Sequence, residues 1–114
     1  MKAEYMTLPD GRKVRFELDL NSMSEWSEKT GLELQDIDRV KGKPALLRTL
    51  AYYCIVEGER LDKRELELSE EDFGGMCRME EIIEIARLIH SQSTMAGKKK
   101  QSVTTPTAKV KSQQ

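Results

Sequence analysis

Histidine occurs once in this 114-residue chain and cysteine twice. Any Ser–His–Asp or Cys–His machinery would have to be built around His90. Its place near the end of a helical stretch already has a structural explanation, because a protonating imidazole is favoured at the negative end of the helix dipole. Cys54 and Cys77 are too few for a disulfide framework, and with His90 they lack the short paired spacings of a zinc site. Both lie in or beside apolar stretches, as small core residues of a reduced, cytosolic protein would. No apolar run approaches the ~20 residues of a membrane span, and Met1-Lys2-Ala3-Glu4 leads into strand-like sequence rather than a signal peptide. No Gly-rich phosphate loop occurs: Gly74-Gly75 has no strand before it and no Gly-Lys-Ser/Thr after it. The acidic clusters Glu70-Glu71-Asp72 and Glu80-Glu81 follow no EF-hand pattern and read as solvated helix starts. These absences predict no catalytic, cofactor-binding or metal-ligating residues, and leave binding through a surface.

The net charge of −1 conceals an asymmetry. Residues 94–114 contain Lys98, Lys99, Lys100, Lys109 and Lys111 and no acid, whereas the remainder holds 14 bases against 20 acids, a net −6. An acidic body argues against a nucleic-acid platform, since duplex binding rests on neutralising phosphates with a basic face. The tail loses all periodicity and reads as a solvated, flexible arm. The expected organisation is therefore one domain over 1–93 and an arm over 94–114, with no internal repeat.

What is present points to an α+β fold, an N-terminal β-hairpin packed on three to four helices. Residues 2–8 and 13–20 flank Pro9-Asp10-Gly11-Arg12, a strong turn signal, and Val14, Phe16, Leu18 and Leu20 alternate with charged residues as in a strand with one buried face. Asn21 and Ser22 compete as the N-cap of a two-turn helix ending at Gly31, with Ser22 to Glu25 matching a capping box and Trp26 as its core anchor. A further helical turn fits Leu34–Arg39. The central helix should span 44–57, with Pro44 at its first position and Gly58 as its left-handed cap. Leu46, Leu47, Leu50, Ala51 and Cys54 form one apolar stripe, and Tyr52, Tyr53, Ile55 and Val56 extend it. Glu65–Leu68 alternates like a short edge strand, Ser69 caps an acidic helix start, and Gly74-Gly75 predicts a broken turn. In the last helix, Met79–Ser91, the residues Met79, Ile82, Ile83, Ala86, Ile89 and His90 make the core face. Ile85 and Leu88 are left as a second strip, either spare surface or a partner contact.

The order of features resembles the tail assembly chaperones of long-tailed bacteriophages. The likeness rests on Phe16-Glu-Leu-Asp-Leu20 leading into Trp26-Ser-Glu-Lys-Thr-Gly31-Leu32. The Leu46–Val56 helix follows, then Leu66-Glu-Leu-Ser-Glu-Glu-Asp72 before the Ile-rich helix, covering residues 5–91. The resemblance implies a non-enzymatic protein of the bacterial host cytoplasm, without cofactor, that coats the long helical tape measure protein until tail-tube subunits polymerise around it. The tape measure protein is the implied partner and the tail tube protein a further candidate, while homo-oligomerisation stays open. By geometry rather than by family motif, Tyr52, Ile55, Val56, Ile85 and Leu88 are the candidate partner-binding residues. The resemblance also implies a longer form made by ribosomal frameshifting, for which Lys98-Lys99-Lys100 is the candidate slip site. The competing class is a small adaptor or regulatory domain that binds one folded partner.

Overall fold

The computed structural model describes residues 2–103, with side chains described through residue 93. The expected arm over 94–114 and the Lys98–Lys100 slip site fall outside the described side chains. The fold is α+β, as expected: a two-stranded antiparallel hairpin followed by helices.

Strands β1 (Glu4–Thr7) and β2 (Lys13–Phe16) pair in the register Met6 to Val14 and Tyr5 to Arg15. Pro9 and Asp10 occupy the centre of the turn, Gly11 adopts φ 95°, and the Gly11 N–H donates to the Leu8 carbonyl at 2.8 Å. Met6, Leu8, Val14 and Phe16 are buried on one face. The strand pattern stops short of Leu20, which is 79% exposed. It opens α1 (Leu20–Thr30) instead, and the N-cap is Asp19, not Asn21 or Ser22. Asp19 accepts from the Ser22 N–H at 3.0 Å while Ser22 Oγ accepts from the Asp19 N–H at 2.9 Å, a reciprocal capping box shifted three residues upstream. Gly31 closes α1 in the left-handed conformation, φ 76°. A 3₁₀ helix, Leu34–Gly42, leads to the central helix.

That helix, α2, runs Pro44–Leu61, past Gly58. Gly58 is buried in its last turns because β2 lies against it: a Cβ added there would overlap the Arg15 carbonyl. One turn earlier the Glu17 N–H donates to the Cys54 carbonyl at 3.0 Å. Strand backbone thus meets helix backbone at two points, and α2 covers the edge of β2 that β1 leaves open, the edge through which hairpins otherwise aggregate. Lys63 takes the left-handed position beyond α2 instead of Gly58, at φ 64°. Arg64 N–H to Glu59 O at 2.8 Å and Lys63 N–H to Arg60 O at 3.0 Å complete a Schellman motif. Arg64 then grips both Glu59 carboxylate oxygens, at 2.9 and 3.1 Å.

Glu65–Leu68 is not a strand; Leu66 and Leu68 pack on the core, and the Tyr52 hydroxyl donates to the Leu68 carbonyl at 2.6 Å. Ser69 caps α3 (Glu70–Met76) by accepting from the Asp72 N–H, and α3 runs through Gly74-Gly75 unbroken. The last helix, α4, spans Met79–Val103, so His90 is not at its end. Trp26, Leu50, Ala51, Cys54, Ile55, Phe73, Ile85 and Leu88 join the hairpin face in one core, with the Trp26 indole N–H donating to the Leu46 carbonyl.

Candidate interaction groove

Helix α4 carries apolar residues around most of its circumference, so hydrophobicity alone sets its rotation weakly. The rotation is fixed near its middle, by Gln92. Gln92 accepts from the Leu18 N–H at 2.6 Å and donates to the Phe16 carbonyl at 2.9 Å and to Glu4 Oε1 at 3.1 Å. Its amide behaves like one residue of a neighbouring strand, satisfying the backbone where β2 ends. Ile85, Leu88 and Ile89 lie within the same arc of the helix at 100° per residue and go into the core. The outward face is then Met79 at 67%, Ile83 at 63% and Ile82 at 38% exposed, with Ala86 and His90 also outward.

Of the expected core face only Ile89 is buried, 8% exposed, while Met79, Ile82, Ile83, Ala86 and His90 are turned outward. Ile85 and Leu88 are core residues, 3% and 0% exposed, and Ile55 is buried at 0%. None of the three presents a surface to a partner. Tyr52 and Val56 are half-buried: Tyr52 stacks at a tilt on Phe73, and Val56 borders a small cleft with Tyr53. The five candidates are therefore not brought together as one surface.

A groove of about 480 Å³ does form elsewhere, between the start of α2, α3 and the start of α4. Leu47, Phe73 and Ile85 make its floor, Cys77 sits in its wall, and Met79 and Ile82 rise along one side. Pro44, which begins α2, also lines it, as do the exposed Lys41 and the half-exposed Arg48. Gly74 makes room for Arg48: an added Cβ would come within 2.8 Å of Arg48 Cδ. Glu70 holds the same side chain, accepting from Arg48 Nε at 3.1 Å while also accepting from the Thr49 hydroxyl at 2.7 Å. Burial pushes the Cys77 thiol up to about 11, so it stays protonated and apolar in character. The volume lies within the range of sites that take ligands, and the lining is mostly apolar, as recognition of a hydrophobic side-chain row requires.

The other charged cluster is structural. Glu57, buried beside α1, accepts from both Arg60 nitrogens at 2.9 and 2.8 Å and from Asn21 at 3.1 Å. The Arg60 guanidinium is the main cause that holds its carboxyl down at about 2. Asp19 next to it is raised, by burial first and by its contact with Glu57 second. At the hairpin's other face, Asp62 accepts from the Tyr5 hydroxyl at 2.8 Å and from Arg15 at 3.0 Å, and these two contacts lower its carboxyl. Among the described residues no group of three or more His, Cys, Asp or Glu side chains is placed to hold a metal ion, and no helix is long and apolar enough to cross a membrane.

Compared with family models, curated proteins and solved structures, the chain matches none. The groove was missed in the sequence because its exposed side is made by residues whose spacing marks them as core. Its one local signal is the pair Gly74-Gly75, read as a helix breaker and serving at Gly74 as space for Arg48.

Proposed function

We propose that this chain is a tail assembly chaperone of a long-tailed bacteriophage, a non-catalytic protein of the host cytoplasm that holds the tape measure protein in solution during tail morphogenesis. The observation that carries this reading is the exposed set Met79, Ile82 and Ile83 on one helix, of which Met79 and Ile82 line an apolar groove. A chaperone for a long amphipathic protein needs such a surface: apolar, shallow and open, able to take helix after helix without a single deep pocket. Several copies along one client would add weak contacts through avidity.

The test is co-expression with the long helical protein encoded downstream. Wild-type chain should keep that protein in the soluble fraction and co-purify with it. Ile83→Asp and Met79→Asp should abolish the rescue with an unchanged far-UV circular dichroism spectrum, because both side chains are mostly exposed. Precipitation of the long protein to the same extent with and without the wild-type chain would refute the proposal.

A further inference from the structure

Resting on that reading, we infer that the groove selects amphipathic helices whose apolar stripe is bordered by acidic residues, and that Lys41 and Arg48 read those acids. The body of the chain is acidic, yet the two charged side chains lining the groove are both basic and no carboxylate lines it. Lys41 forms no ion pair among the described residues. Arg48 is engaged through Nε by Glu70, which fixes the guanidinium at the rim, half exposed. A guanidinium held through Nε, its terminal nitrogens making no hydrogen bond among the described residues, is pre-organised for a carboxylate, and Arg does this with less loss of freedom than Lys. An apolar lining that includes Met79 and Ile82 and carries only these two charges matches a helix with anchors at i, i+3, i+4 and i+7 and acids beside them.

The charge also decides against the chain's own tail as occupant. Residues 104–114 carry Lys109 and Lys111, no acid, and Val110 as their one large aliphatic side chain. They would bring cations to cations and little to fill the floor.

Two synthetic peptides of about 18 residues sharing one leucine stripe, bordered by Glu in one and by Lys in the other, would be titrated against the full chain by fluorescence anisotropy. The Glu peptide is expected to bind about tenfold more tightly at low ionic strength, with the difference shrinking as salt shortens the screening length. Lys41→Glu should remove most of that preference, Arg48→Gln should weaken it, and Met79→Asp should abolish binding of both peptides. Bound Glu peptide should also slow maleimide labelling of Cys77, which a site elsewhere would not do.

Equal affinities, or a preference untouched by Lys41→Glu, would overturn the inference. So would a chain found dimeric by sedimentation that binds neither peptide, since a second copy would then fill the groove. If the long client is still held in solution while the peptides are not distinguished, the charge reading fails and the chaperone proposal survives. If the peptides are distinguished but the client precipitates, the inference stands and the chaperone proposal fails.

Discussion

Gly58→Ala should destabilise this protein even though it replaces glycine by alanine inside a helix. On propensity alone the change would stabilise by about 1 kcal/mol. Here the new methyl would collide with the Arg15 carbonyl, a backbone group that cannot swing aside. The strand must retreat from α2, which costs about 1–3 kcal/mol in strain, and it takes with it the Glu17 N–H to Cys54 carbonyl bond, worth about 1 kcal/mol more. After the propensity gain is subtracted, a net loss of about 2 kcal/mol is expected, which for a domain of this size lowers Tm by roughly 10 °C. Gly75→Ala is the matched control. Gly75 also lies within a helix, but nothing stands within 4 Å of its added Cβ, so a gain of about 0.5–1 kcal/mol is expected. Urea unfolding followed by circular dichroism and by the buried Trp26 would measure both. A Gly58→Ala protein as stable as the wild type, or two substitutions with the same sign, would refute the close approach of β2 to α2.

Three substitutions and one acid titration probe other contacts. Gln92→Ala should cost about 2 kcal/mol in urea unfolding, because it strips partners from the half-buried Leu18 N–H and Phe16 carbonyl together; a loss below about 0.5 kcal/mol would contradict the clamp. Lys63→Gly should raise stability by about 0.5–1 kcal/mol by relieving a side chain at φ 64°, and an unchanged urea midpoint would show the position to be unstrained. Asp19→Asn should stabilise by about 0.5 kcal/mol at pH 7, where the wild-type carboxylate is half-buried beside Glu57. A folded pKa raised above the unfolded one withdraws stability as pH rises from the unfolded value through the folded one, so this gain should fade as pH falls and wild-type Asp19 takes up its proton, and a gain constant with pH would contradict the pairing. Glu57 has the opposite sign: its depressed carboxyl stabilises above the ordinary carboxylate range, and that contribution disappears as pH falls toward about 2.

Local signals were legible wherever a single residue's chemistry decides the outcome. Pro9-Asp10-Gly11 marked the hairpin, Gly31 the end of α1, Pro44 the start of α2 and Ser69 the cap of α3. Gly58 misled because a glycine near a helix end carries the same local signature whether it frees the backbone or admits a neighbouring strand. Lys63 could take the cap because the surrounding Schellman bonds and the Arg64–Glu59 pair hold it there, and lysine announces no such role. Asp19 displaced Asn21 and Ser22 as cap because Ser22 serves the motif equally well from its third position. The expected core face of α4, Ile89 apart, lies outward for a different reason. Both arcs are rich in isoleucine, and the choice between them is made by a glutamine that reaches the hairpin from the middle of the helix. The groove inherits that ambiguity, since it exists only with Ile85 turned in and Met79 turned out.

The Gln92 clamp has a further consequence for the order of events in folding. Its partners are separated from it by 74 to 88 positions along the chain. Contacts of such span carry the largest loop-closure cost and are expected to form late, after the hairpin, α1 and α2 have assembled from nearer neighbours. Loss of the clamp should then leave the refolding rate nearly unchanged and quicken unfolding, by roughly thirtyfold if the full 2 kcal/mol falls on that limb of the chevron. During synthesis, the face that becomes core and the face that becomes the groove would both be open until residue 92 arrives. The glutamine that satisfies the end of β2 is thus also the residue that sets when the groove comes into being.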